Sequence, residues 1–157
     1  MDSKFASRFD TYFKREVAQK AAKSLANGIE IQFDIQDSSG TPVESFTFTK
    51  AGGQNQVKPE KPREPQMIFI LTSDAAEEIL NDPTDDLGAI GVNIAKRVVK
   101  PDANRKISFQ FKVGFLSLFT KGYFGVLTSG GASFASFLAS QGLNGIEGIK
   151  AILKKKK

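Results

Sequence analysis

Met67-Ile68-Phe69-Ile70-Leu71-Thr72-Ser73-Asp74-Ala75-Ala76-Glu77-Glu78-Ile79-Leu80-Asn81 is the stretch whose interpretation decides the fold. Its first five residues are apolar without alternation, which suits a central strand covered on each face. The pattern then changes. Asp74-Ala75-Ala76-Glu77 has the spacing of a capping box, and Ala75, Ala76, Ile79 and Leu80 supply a short helix that stops at Asn81-Asp82-Pro83. A strand running directly into a helix points to an α+β domain.

On the N-terminal side, residues 3–26 have the pattern of one amphipathic helix. Phe5, Phe9, Phe13 and Val17 recur every four residues, Ala21 and Leu25 extend the stripe, and Asn27-Gly28 ends it. The period then becomes two. Ile29, Ile31, Phe33 and Ile35 alternate with Glu30, Gln32, Asp34 and Gln36, Ser38-Ser39-Gly40 turns the chain, and residues 43–50 form the hairpin partner with Phe46 and Phe48 inward. After Ala51-Gly52-Gly53, three prolines allow only a short edge strand near residues 56–58 and an irregular loop.

On the C-terminal side, Thr84 or Asp85 can cap a second helix with Leu87, Ile90, Ile94 and Val98 on its apolar stripe. Alternation returns at Ile107, Phe109, Phe111 and Val113. Residues 115–127 are apolar, and 132–141 and 146–153 have helical patterns. The expected architecture is a five-stranded, mostly antiparallel sheet covered by helices. It forms a single domain over residues 1–153, followed by the basic tail Lys154, Lys155, Lys156 and Lys157.

The 157 residues suffice for one core, and they include no His, Cys or Trp. Imidazole bases, thiolate nucleophiles, disulfides and His or Cys metal sites are thereby excluded. The net charge of +5 is largely the terminal lysine run, because the remainder holds 18 basic against 17 acidic residues. Within it, residues 66–95 carry −6 and residues 96–112 carry +5. Charges throughout the first 23 residues leave no signal-peptide core, so a cytoplasmic location is expected. Residues 122–140 lack charge but contain four Gly and five Ser or Thr, too dilute for a membrane span.

The acidic set Asp74, Glu77, Glu78, Asp82, Asp85 and Asp86 admits a paired-carboxylate or magnesium site, although capping and helix N-termini account for it more simply. No catalytic, metal-binding or cofactor-binding residue is expected, and the protein is not expected to be an enzyme. Gly122, Gly125, Gly130 and Gly131 lack the spacing of a phosphate loop. Arg105 and Lys106 lie near Phe109 and Phe111, but those rings share a strand face with Ile107 and Val113, so no nucleic-acid partner is expected. Phenylalanine is the outlier: there are 14, seven of them between 109 and 137 among many Gly, Ser and Ala. Large rings separated by small residues either interdigitate as a core or leave room for an apolar guest.

The order is helix, strand, strand, weak strand, strand, helix, helix, strand and apolar helical segment. Its matching residues are 30–37 with 43–49 as hairpin, 67–74 as the strand entering a helix through Ser-Asp, 75–81 as that helix, and Lys106-Ile107-Ser108-Phe109 as the late strand. In these features the chain resembles the sterol carrier protein 2 family of lipid-carrier domains over roughly residues 1–143. A longer second helix and a Phe- and Gly-rich segment at 114–142 depart from that family, and the lysine run replaces a peroxisomal signal.

The resemblance implies a non-enzymatic carrier that takes a fatty acid, sterol or similar lipid into an apolar cavity. Candidate lining residues are Leu87, Ile90 and Ile94 on the second helix, Phe109 and Phe111 on the late strand, and Phe115, Leu116, Leu118, Phe119, Phe124, Phe134, Phe137 and Leu138 beyond it. For each of them an ordinary core role is the alternative. The lysine tail is either a frayed terminus or a transient contact with anionic membrane. Two other functional classes remain. One is an interaction or dimerisation module that uses the Phe-rich C-terminal segment, and the other is an acid–base enzyme at Asp74 or Glu78. Oligomeric state is left open.

Overall fold

The computed structural model describes residues 4–99, 102 and 104–113. In chain order these form α1 (Lys4–Phe13), α2 (Glu16–Ala21), β1 (Glu30–Gln36), β2 (Pro42–Ala51), β3 (Gln54–Lys58), β4 (Met67–Thr72), α3 (Ser73–Asn81), α4 (Leu87–Val99) and β5 (Ile107–Phe111). The strands make one sheet in the order β3-β2-β1-β4-β5, which places the apolar β4 between two neighbours. Three adjacent pairs are antiparallel, but β1 and β4 run parallel. The sheet is therefore mixed, which corrects the mostly antiparallel arrangement expected from the sequence. The cause is the crossing made by residues 59–66. It delivers Gln66 to the starting end of β1, where the Gln66 amide donates to Glu30 O (2.9 Å) and the Glu30 amide donates to Gln66 Oε1 (2.6 Å). From that point β4 can pair with β1 only in the same direction.

Register turns the alternating sequence into one continuous apolar face. Ile31 pairs with Phe48 and Met67, Phe33 with Phe46 and Phe69, and Ile35 and Ile107 each with Leu71. The Phe33 ring stacks on Phe46 at 5.1 Å and on Phe69 at 5.3 Å. From α1, Phe9 lies 5.3 Å from Phe46 and 5.9 Å from Phe33, and Phe13 lies 4.8 Å from Phe48. Phe9, Phe46 and Ile29 are almost completely excluded from water. Each such side chain contributes about 1.5–3 kcal/mol of burial. The opposite face carries Gln32, Asp34, Thr47 and Thr49, along with half-buried Ile68 and Ile70.

The single helix expected over residues 3–26 is broken. Arg15 is extended (φ −62°, ψ 148°), and α1 closes with the tight bonds Lys14 N to Thr11 O and Arg15 N to Tyr12 O. The apolar stripe nevertheless continues, since Val17 and Leu25 are buried. The interruption is tertiary in origin. Buried Asn55 of β3 donates through Nδ2 to Phe13 O (2.9 Å) and Ala18 O (3.4 Å), satisfying carbonyls on both sides of the break.

Strand β2 holds both ends of this helical pair. Glu44 accepts from the Phe5 and Ala6 amides (2.9 and 2.7 Å), placing negative charge at the N-terminus of α1. Six residues later, Lys50 is buried and donates through Nζ to Ala22, Lys23 and Leu25 carbonyls at 2.9–3.0 Å, capping the end of α2 with positive charge. The edge strand β3 is covered as well. Its Val57 amide donates to Asp10 Oδ1 and its Asn55 amide to Gln19 Oε1, occupying donors that would otherwise invite another strand.

Helix α3 follows β4 without a loop, as expected, but its cap is Thr72 rather than Asp74. Thr72 Oγ1 accepts from the Ala75 amide at 3.3 Å and also from the Lys106 amide at 3.0 Å. Glu77 is therefore free of the capping-box role and turns to Arg8. Among the described residues no helix is long and apolar enough to cross a membrane.

Candidate functional site

The described residues of the expected lining meet where α3 and α4 pack on β5 and α1. The stripe of α4 places Ile90 inside, 8% exposed, with Ile94 and Val98 half-buried against the core. Between these helices and Ile107 lies a void of about 10 Å³, lined by Tyr12, Ile79, Ile90, Ile94 and Ile107, with Glu78, Asp82, Asn93 and Arg97 at its rim. That volume holds roughly one water molecule and is far smaller than an acyl chain. Burial pushes the Tyr12 phenol above its ordinary pKa, against the smaller opposing effect of Arg15, whose guanidinium lies 5.2 Å from the ring centre.

The rim is a set of guanidinium–carboxylate contacts. Arg97 donates to both Glu78 oxygens (2.7 and 2.8 Å), and Arg105 donates to Glu78 Oε2 (2.9 Å). One carboxylate thus ties α4 and the segment before β5 to α3. Hydrogen bonds from Arg97, with help from Arg105, hold Glu78 below the usual carboxylate pKa, and those from Arg8 do the same for Glu77. Arg15 secures the α3–α4 connection by donating to Thr84 O (2.9 Å) and Asp85 Oδ1 (2.7 Å). Asp82 accepts from the Thr84 amide and from Asn93 Nδ2. A wider polar groove of about 440 Å³ adjoins the rim, lined by Glu78, Asn81, Asp82, Asn93, Lys96 and Arg97.

These contacts assign structural work to Glu77, Glu78, Asp82 and Asp85, four of the six carboxylates in the acidic set. Among the described residues no three His, Cys, Asp or Glu side chains converge as a metal would require. A carboxylate paired with two guanidiniums is also a poor proton acceptor at neutral pH, because its charged form is the favoured one.

Of the residues expected to line a cavity, Ile90 and Ile94 come together at the void. Leu87 opens α4, and Phe109 and Phe111 stand in β5 in register with Phe69 and Met67. Phe115, Leu116, Leu118, Phe119, Phe124, Phe134, Phe137 and Leu138 lie outside the described residues, as does the tail Lys154–Lys157. The structure adds Tyr12, Ile79 and Ile107. Tyr12 sits three residues after Phe9 on the same helix face, and Ile107 begins the alternation of β5, so their apolar surroundings were readable although their meeting was not.

No protein-family model, curated protein or solved structure matches the chain.

Proposed function

We propose that the protein is a non-enzymatic, cytoplasmic binding and transfer protein for a fatty acid, sterol or similar lipid, resembling the sterol carrier protein 2 family. The observation that carries this reading is the phenylalanine row across the sheet. It runs from Phe46 through Phe33 to Phe69 by stacking, and Phe109 of β5 is next in register. Burial thins along it: Phe46 is 0% exposed, Phe33 is 8% exposed and Phe69 is half-buried. The rings of α1 lie over the β1–β2 end, while α4 bounds the other side of the core through Ile90 and Ile94. A broad, ring-rich apolar face, with a helix held beside it by surface ion pairs, suits a guest bound by the hydrophobic effect. The order of strands and helices through β5 supports this reading, and the ion pairs of Glu77 and Glu78 favour binding over acid–base chemistry at those two carboxylates.

Fluorescent fatty-acid titration of delipidated protein tests the proposal. Saturable binding with low-micromolar affinity, displaced by a sterol or an unlabelled acyl chain, is the expected result. A stable dimer without displaceable lipid binding would overturn it in favour of an interaction module.

A further inference from the structure

The cations of the described residues are divided between the two ends of the sheet. Where β4 finishes and β5 begins, the arginines engage carboxylates, Arg8 with Glu77, and Arg97 and Arg105 with Glu78 and Asp102, while exposed Lys96 and Lys106 form no ion pair with a described carboxylate. At the other end β1 and β4 start while β2 and β5 finish, and hydrogen bonds gather several loops into one pole. The Gly28 amide donates to Lys50 O (2.8 Å), the Gly53 amide to Asn27 Oδ1 (3.0 Å) and the Lys112 amide to Gln66 O (2.9 Å). Lys50 Nζ meanwhile holds the Ala22, Lys23 and Leu25 carbonyls.

Exposed Lys20, Lys23 and Lys112 surround this pole, and none forms an ion pair with a described carboxylate. The buried Lys50 ammonium adds a charge beneath them, and exposed Arg63 lies three residues before Gln66. The acids nearby are Glu16, one turn before Lys20, exposed Glu64 and half-buried Glu30, so cations predominate. The tip consists of small exposed residues, Ala26, Asn27, Gly28, Ala51, Gly52 and Gly53. Gly52 and Gly53 have φ of +57° and +78°, which keep the β2–β3 turn tight and free of protruding side chains.

We propose that this pole docks on an anionic phospholipid bilayer. Lysines without an ion pair among the described residues, around a tip of small side chains, present positive charge to a bilayer surface at close range, where each lysine favours contact. The chain leaves β5 at this end, and residues 113–157 carry a further net +5 and include the charge-free run at 122–140. Positive charge joined to apolar sequence fits a lipid surface. None of residues 20–28, 50–54, 63–66 and 112 is aromatic, so the tip lacks the stacking platform that single-stranded nucleic acid uses.

Flotation of the full chain with phosphatidylcholine vesicles, with and without phosphatidylserine, provides the test. Binding should require phosphatidylserine and weaken with salt. Lys23→Glu with Lys112→Glu should reduce it by about 30-fold or more. The charge-matched Lys96→Glu with Lys106→Glu, away from the pole, should have a much smaller effect. The difference should persist when Lys154–Lys157 are replaced by Gln, and Lys23→Gln with Lys112→Gln should give an intermediate loss with an unchanged melting temperature. Equal losses from the two charge-reversed pairs, or equal binding to both vesicle types, would overturn the proposal, as would oligonucleotide binding with the same variant sensitivity. Fatty-acid uptake measured without vesicles reports on cargo binding separately.

Discussion

The two helical pairs are attached to the same sheet by different physics. Helices α1 and α2 are held by aromatic burial, and their ends are closed by Glu44 and Lys50 of β2. Helices α3 and α4 keep small and aliphatic side chains inside and depend at their margin on partly exposed pairs such as Arg97–Glu78 and Arg8–Glu77. Burial of rings is insensitive to salt and pH in the neutral range, whereas exposed ion pairs are worth little and are screened. The first pair should thus behave as the permanent wall of the core and the second as the side that yields.

The largest effect should come from breaking the aromatic wall. Phe46→Ala removes a ring in contact with Phe9 and Phe33 and should cost about 3–5 kcal/mol in denaturant unfolding. A loss below 1 kcal/mol would mean that the row is not the core. Next, Lys50→Met keeps the apolar stem but removes the donor shared by three carbonyls after α2, of which Ala22 O keeps another, the Leu25 amide. It should cost about 2 kcal/mol and loosen amide-exchange protection in α2 before that in α4. Simultaneous loosening of both helices would erase the distinction between the two pairs.

The smallest effect belongs to the second pair. Glu78→Gln should cost about 1 kcal/mol or less at low salt and almost nothing at high salt. The pH dependence follows from the lowered carboxyl pKa values of Glu77 and Glu78. The stability they contribute is fully present above the unfolded carboxylate range and is lost as pH falls through the folded values. Glu77→Gln with Glu78→Gln should therefore flatten the acid limb of the stability curve. An unaltered limb would assign acid sensitivity to other carboxylates.

The strands were legible because burial of one face imposes period two on Ile31, Phe33 and Ile35 and on Phe46 and Phe48. The direction of β4 was not, since the prolines of residues 59–66 exclude regular structure without saying where the crossing ends. The break at Arg15 was hidden for a similar reason: the stripe from Phe5 to Val17 continues through it, and the side chain that takes the freed carbonyls, Asn55, comes from another strand. Thr72 and Asp74 both satisfy local capping rules, and only the fold chooses between them. At the site, Ile90 and Ile94 were visible as a helix stripe, whereas Tyr12 and Ile107 join them only through tertiary packing. The acidic block at 66–95 and the basic block at 96–112 were evident, and the structure brings them together at Glu78, Arg97 and Arg105.

Native mass spectrometry of gently purified protein tests the central claim most directly. The account predicts a population heavier than the bare chain by the mass of one fatty acid, sterol or similar lipid, which collisional activation releases to leave the intact 157-residue protein. A bare chain or a lipid-free dimer, with no adduct after incubation with fatty acid or sterol, would contradict it.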